Sequence, residues 1–289
     1  MSSSSEGRCV IFLHVPKTGG RTLQTIAARQ YENVWEITGS SAELRRNYEE
    51  FCSSASHLLR RNTLVRGHFP FGLHRHCDYP TTYITVLRDP VDRVISHYYY
   101  VLRQPDHYLH KQVMSQNISL QEYATGKLAG ELKNGQVKQV AGFWDFKTAS
   151  SDVLERAKEN LTKHFGVVGL TRKFDESLLL IKHELGWGNV CYQRRNVSKN
   201  RPTKSGIPLE IREEIRAQNK WDIELYEYAE HLLNNRMAMD LFLPMQVQYF
   251  KLWNKVASQN NGSLRLLIRT IGLFGSFGKR ALNAIGPNQ

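Results

Sequence analysis

Cys9-Val10-Ile11-Phe12-Leu13-His14-Val15-Pro16-Lys17-Thr18-Gly19-Gly20-Arg21-Thr22 is the stretch on which the fold turns. Cys9 to Val15 is a short apolar run rich in β-formers, the pattern of a strand buried on both faces, and Pro16 ends it. After Gly20 the apolar positions Leu23, Ile26, Ala27 and Tyr31 recur at helical spacing, so the loop opens directly into an amphipathic helix. In a strand, glycine loop and helix arranged this way, backbone N–H groups converge on an anion. The helix N-terminus adds its positive dipole end, and Lys17, Thr18 and Thr22 supply an ammonium and two hydroxyls. The segment reads as a cradle for a phosphate-like anion, with an ordinary glycine-rich turn as the plain alternative. Because the lysine precedes the glycines, the Gly-x-x-x-x-Gly-Lys-Ser/Thr loop of ATPases is absent, as is a dinucleotide fingerprint.

The same architecture returns downstream. Tyr83 to Leu87 reads as a strand ending at Arg88, followed by a helix with Asp89 as N-cap and Pro90 in its first position. Val91, Val94, Ile95, Tyr98 and Leu102 form its apolar stripe, and Asp89, Arg93 and Ser96 are expected on the opposite side. Thr63 to Val65 is a short strand leading into Arg66-Gly67-His68, and Glu43 to Leu59 a helix. Phe165 to Leu170 is another strand, and Phe174 to Leu185 a helix closed by Gly186. Leu209 to Leu233 is helical, interrupted near Asn219. Strands alternating with helices predict an α/β fold: a P-loop-like parallel sheet with helices on both faces.

The bulk properties bound the rest. A chain of 289 residues with 41% hydrophobic content can build one large α/β domain. The expected division is a flexible N-terminus over 1–8, a domain over 9–240 and a basic, partly amphipathic C-terminal extension over 241–289. In that extension Leu264, Leu267, Ile268 and Ile271 share one face and Arg265 and Arg269 another. Packing on the domain is the favoured reading, and weak membrane association the other. The formal charge of +12 favours anionic partners. Cys9, Cys52, Cys77 and Cys191 are scattered without metal-ligand spacing, so no metal is assigned. The sequence as it stands carries no signal peptide or membrane span and is expected to be cytoplasmic. Membrane or Golgi residence is expected only where an anchor has been trimmed away.

Two signals combine into a family resemblance. Arg88 leaves a strand end, where open parallel sheets bind ligands, and Ser96 follows it on the next helix, so both are placed to grip one phosphate. A structural bridge from Arg88 to Asp89 or Asp92 is the alternative at this point. Pro-Lys-Thr-Gly-Gly after the first strand and Arg-Asp-Pro-(x)2-Arg-(x)2-Ser after a later one resemble the PAPS-dependent sulfotransferases, where PAPS is 3'-phosphoadenosine 5'-phosphosulfate. The likeness is greatest to the heparan sulfate 2-O- and 6-O-sulfotransferase branch and covers about residues 9 to 235.

The resemblance implies an O-sulfotransferase that moves a sulfuryl group from PAPS to a hydroxyl, with a glycan as the implied acceptor and PAP as the nucleotide product. By that likeness Lys17, Thr18, Gly19, Gly20, Arg21 and Thr22 hold the 5'-phosphosulfate, and Arg88 and Ser96 the 3'-phosphate. His68 in Arg66-Gly67-His68-Phe69 is the implied catalytic base, Lys17 the second catalytic residue, and Lys199 and Arg201 are implied to close over the nucleotide. Arg60, Arg61, His74 and Arg75 are basic residues expected near that site, available to an acidic glycan or equally to solvent. Arg21 replaces the family's small hydroxyl residue and Arg66 stands where the 2-O enzymes carry a further His, so no sugar position is inherited. The competing classes are a kinase-like nucleotide-binding P-loop protein, which should carry a Walker lysine, and a non-enzymatic basic protein binding nucleic acid, for which no recognition motif appears.

Overall fold

The computed structural model describes residues 8–126, 128, 130–145, 149–193 and 203–258. Five strands, β1 (Cys9–Leu13), β2 (Asn33–Ile37), β3 (Thr63–Gly67), β4 (Thr81–Leu87) and β5 (Phe165–Leu170), form one sheet in the order β2-β3-β1-β4-β5. Every pairing is parallel; Ile11 at the centre stands opposite Val65 on one side and Tyr83 on the other. All five side chains of β1 are buried. Since successive side chains point to opposite faces, both faces of the sheet's centre are covered, as a parallel sheet requires.

The covering helices are α1 (Gly20–Ala28), α2 (Ser41–Leu58), α3 (Pro90–Arg103), α4 (His110–Ser115), α5 (Leu120–Thr125), α6 (Gly135–Ala141), α7 (Ser151–His164), α8 (Phe174–Leu185), α9 (Leu209–Gln218), α10 (Lys220–Ala238) and α11 (Leu243–Ser258). The chain crosses from β1 out to β2 and back to β3, so right-handed connections place α1 and α2 on opposite faces. On the α1 side, Trp187 beyond α8 donates from Nε1 to the Tyr31 hydroxyl at 3.0 Å, and the Tyr192 N–H donates to Asn254 of α11 at 2.7 Å. On the α2 side, the Tyr48 and Trp144 rings meet edge to face at 5.2 Å, and Asn160 of α7 donates to the Val140 carbonyl of α6 at 2.9 Å. The expected α/β architecture is therefore present, with helices on both faces.

Local chemistry explains the main elements. Asp89 caps α3, accepting from the Asp92 N–H at 3.0 Å, with Pro90 in the first turn as its fixed φ favours. α8 spans Phe174–Leu185 and ends on Gly186 at φ 65, a left-handed cap that costs glycine nothing. The interruption at Asn219 separates α9 from α10. A second cluster of buried side chains, including Val91, Ile95, Val113, Leu120 and Ile215, joins α3, α4, α5 and α9 beside the main core.

The structure corrects two expectations of placement. Arg93 does not share an outward polar face with Asp89; it is 2% exposed and turned into the protein, where several oxygens receive it. Arg60 and Arg61 precede β3 and lie at the amino edge of the sheet, opposite the edge carrying the glycine loop. Arg75 lines an open cleft of about 760 Å³ with α7 residues such as Arg156 and Lys163. From the expected extension, Leu243, Val247 and Phe250 of α11 join the main core. No helix among the described residues is long and apolar enough to cross a membrane.

Candidate active site

β1 and β4 are neighbours whose following segments leave in different directions, which opens a crevice at their carboxyl ends. The glycine loop and Arg88 both lie there. The loop turns through left-handed backbone at Lys17 (φ 68) and Gly19 (φ 84). A non-glycine residue in that region carries a cost of about 1 kcal/mol, a strain that is kept where it aims a side chain. No side chain caps α1, and of its first-turn N–H groups that of Thr22 turns back to the Gly19 carbonyl at 3.3 Å.

Each loop residue has a distinct task. The Lys17 ammonium sits 3.4 Å from the centre of the Tyr100 ring, and Arg21 reaches the Tyr100 hydroxyl at 3.4 Å. Tyr100 lies on α3 one turn beyond Ser96, so this helix faces the loop with both residues. The Thr18 hydroxyl is turned inward and donates to the Val15 carbonyl at 2.9 Å. Its carbonyl accepts from Thr171 at 2.6 Å. The hydroxyls of Thr22 and Ser96, both half-buried, have no hydrogen-bond partner among the described residues. Gly20 is required because a Cβ there would overlap the His14 ring. Gly20→Ala is expected to lower stability by about 1 to 3 kcal/mol despite alanine's better helix propensity. A denaturation midpoint equal to wild type would mean that His14 yields freely.

Arg88 joins the two halves of the site: its Nη1 donates to the Lys17 carbonyl at 3.1 Å. Its backbone is clamped by Gln136, whose Oε1 accepts from the Arg88 N–H at 3.0 Å and whose Nε2 donates to the Arg88 carbonyl at 2.8 Å. Gln139, one turn on, donates from Nε2 to the carbonyls of His14 and Phe69, both at 3.1 Å. Buried Asp222 accepts from the N–H groups of Gln136 and Val137 at 3.2 and 2.7 Å, and so caps α6. Arg93 lies 3.6 Å from the same carboxylate and donates from Nε to the Pro16 carbonyl at 3.0 Å. Burial pushes the Asp222 carboxyl up, and Arg93 and the two N–H groups oppose that. The α6 region was not read from the sequence. Its only signal there is Asn134-Gly135 followed by two glutamines one turn apart.

His68 follows β3 and is exposed toward the crevice. Its Nδ1 lies 2.8 Å from the His14 carbonyl oxygen, which can only accept, so Nδ1 carries the proton and Nε2 of the neutral ring presents a lone pair. Protein atoms crowd the ring on its inner edges, and this desolvation chiefly lowers its pKa, with the His14 hydrogen bond opposing it. His14 and His97 differ from it in access. His14 is buried with Nδ1 engaged by Gln24 at 3.0 Å; His97 is buried against the Tyr123 hydroxyl at 2.6 Å, with its pKa pushed down to about 3 by desolvation and nearby cations. Lys17, Arg21 and Arg66 add to the lowering at His14, and Arg93 and Lys17 at His97, so the crevice carries a positive field. Arg66 itself is engaged by Glu36 at 2.6 Å and by the Gln24 carbonyl at 3.1 Å. Lys199 and Arg201 lie outside the described residues.

The crevice thus gathers an uncapped helix start, a lysine in left-handed backbone, an arginine bridging two loops and an exposed histidine whose Nδ1 is engaged by the His14 carbonyl. The family model described as "Sulfotransferase family" matches residues 5–229, and the chain belongs to that family. It is 24% identical over 261 residues to a heparan sulfate 2-O-sulfotransferase of Caenorhabditis elegans, covering 80% of this chain and 79% of the relative. It is 30% identical over 166 residues to heparan sulfate 2-O-sulfotransferase 1 of Gallus gallus, covering 51% of this chain and 46% of that protein. A heparan-sulfate 6-O-sulfotransferase 2 of Danio rerio is 24% identical over 288 residues, with 78% of this chain and 58% of the relative covered. Among solved structures, a sulfotransferase from Alicyclobacillus acidocaldarius aligns with a TM-score of 0.45 at 15% identity, over 78% of this chain and 95% of that one.

Proposed function

We propose that the protein is a PAPS-dependent O-sulfotransferase acting on a hydroxyl of a glycan. The observation that supports this most is the junction of Arg88 with the Lys17 carbonyl, which couples two anion sites across the β1–β4 crevice. The residues fit a nucleotide with two phosphate clusters. Lys17, Arg21, Thr22 and the α1 N-terminus would hold the 5'-phosphosulfate, with Thr18, Gly19 and Gly20 giving the loop its shape. Arg88 and Ser96 would hold the 3'-phosphate, and Lys199 and Arg201 would cover the nucleotide. The donor, when bound, supplies an electrophilic sulfuryl group. The glycan acceptor is supported by the names of the heparan sulfate relatives.

The chain's own residues divide the work. His68 Nε2 takes the proton of the acceptor hydroxyl, a poor nucleophile at neutral pH, and the His14 carbonyl holds the resulting imidazolium through Nδ1–H. Lys17 holds positive charge beside the loop where negative charge grows on the leaving phosphate. Gln139 fixes the His14 carbonyl, and so sets the position of the base relative to the loop.

PAP is expected to raise the melting temperature in a saturable way, and AMP, which lacks the 3'-phosphate, far less, because a ligand of the native state stabilises it by mass action. Arg88→Ala should weaken PAP by about 1.5 to 3 kcal/mol, the range of a charge-assisted contact. Equal stabilisation by PAP and AMP would rule out a 3'-phosphate site at Arg88 and Ser96. Incubation with radiolabelled PAPS and a panel of glycans then tests the acceptor class.

A further inference from the structure

Lys17 and Arg21 converge on one aromatic ring. The Lys17 ammonium lies 3.4 Å from the centroid of Tyr100 and the Arg21 guanidinium 6.0 Å from it, with an Arg21 N–H reaching the Tyr100 hydroxyl at 3.4 Å. The ring stands half-buried on α3, and the His107 ring meets it edge to face at 5.7 Å. His107 in turn stacks on the Tyr108 ring at 4.8 Å, and the Tyr108 hydroxyl donates to Glu131 Oε1 at 2.7 Å. Tyr100 is thus one member of a braced row of rings, and the loop lysine ends on it.

A lysine ammonium rides on a flexible four-carbon stem, so its position needs a hold at both ends. The left-handed backbone at Lys17, φ 68, fixes where the stem starts, and the ring fixes where it stops. The kind of hold matters as well. A carboxylate in place of the ring would grip the ammonium but cancel its charge and repel an anion approaching the loop. An aromatic face attracts the cation through its quadrupole and stays neutral, so the positive charge remains in the crevice. The imidazoles beside the ring are also uncharged near neutral pH: His97 is pushed down to about 3 and His107 is lowered, chiefly by desolvation in both, with Lys17 adding to each. We propose that Tyr100 is a positioning residue of the anion site, whose ring sets the Lys17 ammonium, and with it Arg21, toward the group held by the glycine loop. This role rests on the reading of that loop as the seat of the 5'-phosphosulfate.

The test follows Lys17 and the ligand separately, in the full chain. Acetylation by an N-hydroxysuccinimide ester, read by mass spectrometry and normalised to exposed Lys111, reports how firmly the Lys17 amine is held. Tyr100→Leu and Tyr100→Gln, which replace the ring by an apolar and a polar side chain, should each raise the Lys17 rate at least about fivefold, and Tyr100→Phe should return it to within about twofold of wild type. PAP should bind the two ring-free variants about five- to tenfold more weakly, with Tyr100→Phe again close to wild type. Adenosine 3'-phosphate, which offers the loop no 5'-phosphate, should bind the wild type and the variants alike. Wild-type Lys17 rates in both ring-free variants overturn the proposal whatever PAP does, and so does an equal effect of Tyr100→Phe, which would trace the hold to the hydroxyl. Equal weakening of PAP and adenosine 3'-phosphate also overturns it, since a general loosening of α3 would then be the cause. No PAP binding by the wild type, together with faster Lys17 acetylation in the ring-free variants, would remove the nucleotide reading while supporting the hold of Tyr100 on Lys17.

Discussion

His68→Ala is expected to lower turnover by roughly two to four orders of magnitude while leaving PAP affinity within about twofold, the signature of losing a general base. The two effects separate because His68 is placed on the β3 side of the loop, while the residues proposed to hold the nucleotide fall on the loop and at and beyond the end of β4. The hydrogen bond to the His14 carbonyl fixes which nitrogen is the base, so His68→Gln, with an amide in place of the imidazole, should restore little. The pH profile gives an independent reading. Desolvation depresses the His68 pKa, so the ring stays neutral down through the ordinary imidazole range near pH 6.5. Activity should therefore be flat at neutral pH and fall only as pH drops below that value. A near wild-type rate in the alanine variant would leave the base to be found elsewhere. His14 and His97 are poor substitutes, since both are buried and engaged.

Asp222→Ala should be the most damaging change to the fold, at about 3 to 5 kcal/mol, because it leaves the Arg93 guanidinium buried without its carboxylate and two N–H groups of α6 without an acceptor. For a domain of this size that is a fall in melting temperature of about 10 °C. The loss should extend to the site, since Gln136 clamps Arg88 and Arg93 clamps Pro16. Asp222→Asn keeps an oxygen for the backbone and removes the charge, so an intermediate loss is expected. A shift under about 2 °C for the alanine variant would show that water or another group serves Arg93.

The parts of the fold visible in the sequence are those where burial and chain geometry agree. β1, β4 and β5 are apolar runs because they are covered on both faces, and α3 and α8 announce themselves through Asp89, Pro90 and Gly186. β2 was not visible: it is an edge strand whose Val34, Trp35 and Glu36 are partly or largely exposed, and it carries no alternation to read. α4, α5 and α6 are too short to show a stripe of their own, whereas α7 carries one, with Val153, Leu154, Ala157 and Leu161 on a single buried face, and was legible. At the site, the glycine loop and Arg88 follow from local sequence. Tyr100, Gln136, Gln139 and Asp222 do not, because their roles depend on partners 48 to 125 positions away or on a neighbouring helix. Arg93 shows the limit most clearly: helical periodicity placed it outside, and the buried Asp222 drew it in.

The path of that ion pair also bears on how the protein is made. Pro16 is anchored by Arg93 and Arg93 by Asp222, so the loop nearest the start of the chain depends on a residue more than two hundred positions later. β1, likewise, pairs only with strands that begin at Thr63 and Thr81. Non-local pairing of this kind folds slowly, and at a synthesis rate of about 5 to 20 residues per second Asp222 emerges roughly 10 to 40 seconds after Pro16. Until then the ribosome-bound chain holds an apolar first strand and an unanchored glycine loop, so the proposed nucleotide binding should appear abruptly, late in translation, as the helix bearing Asp222 closes on α6.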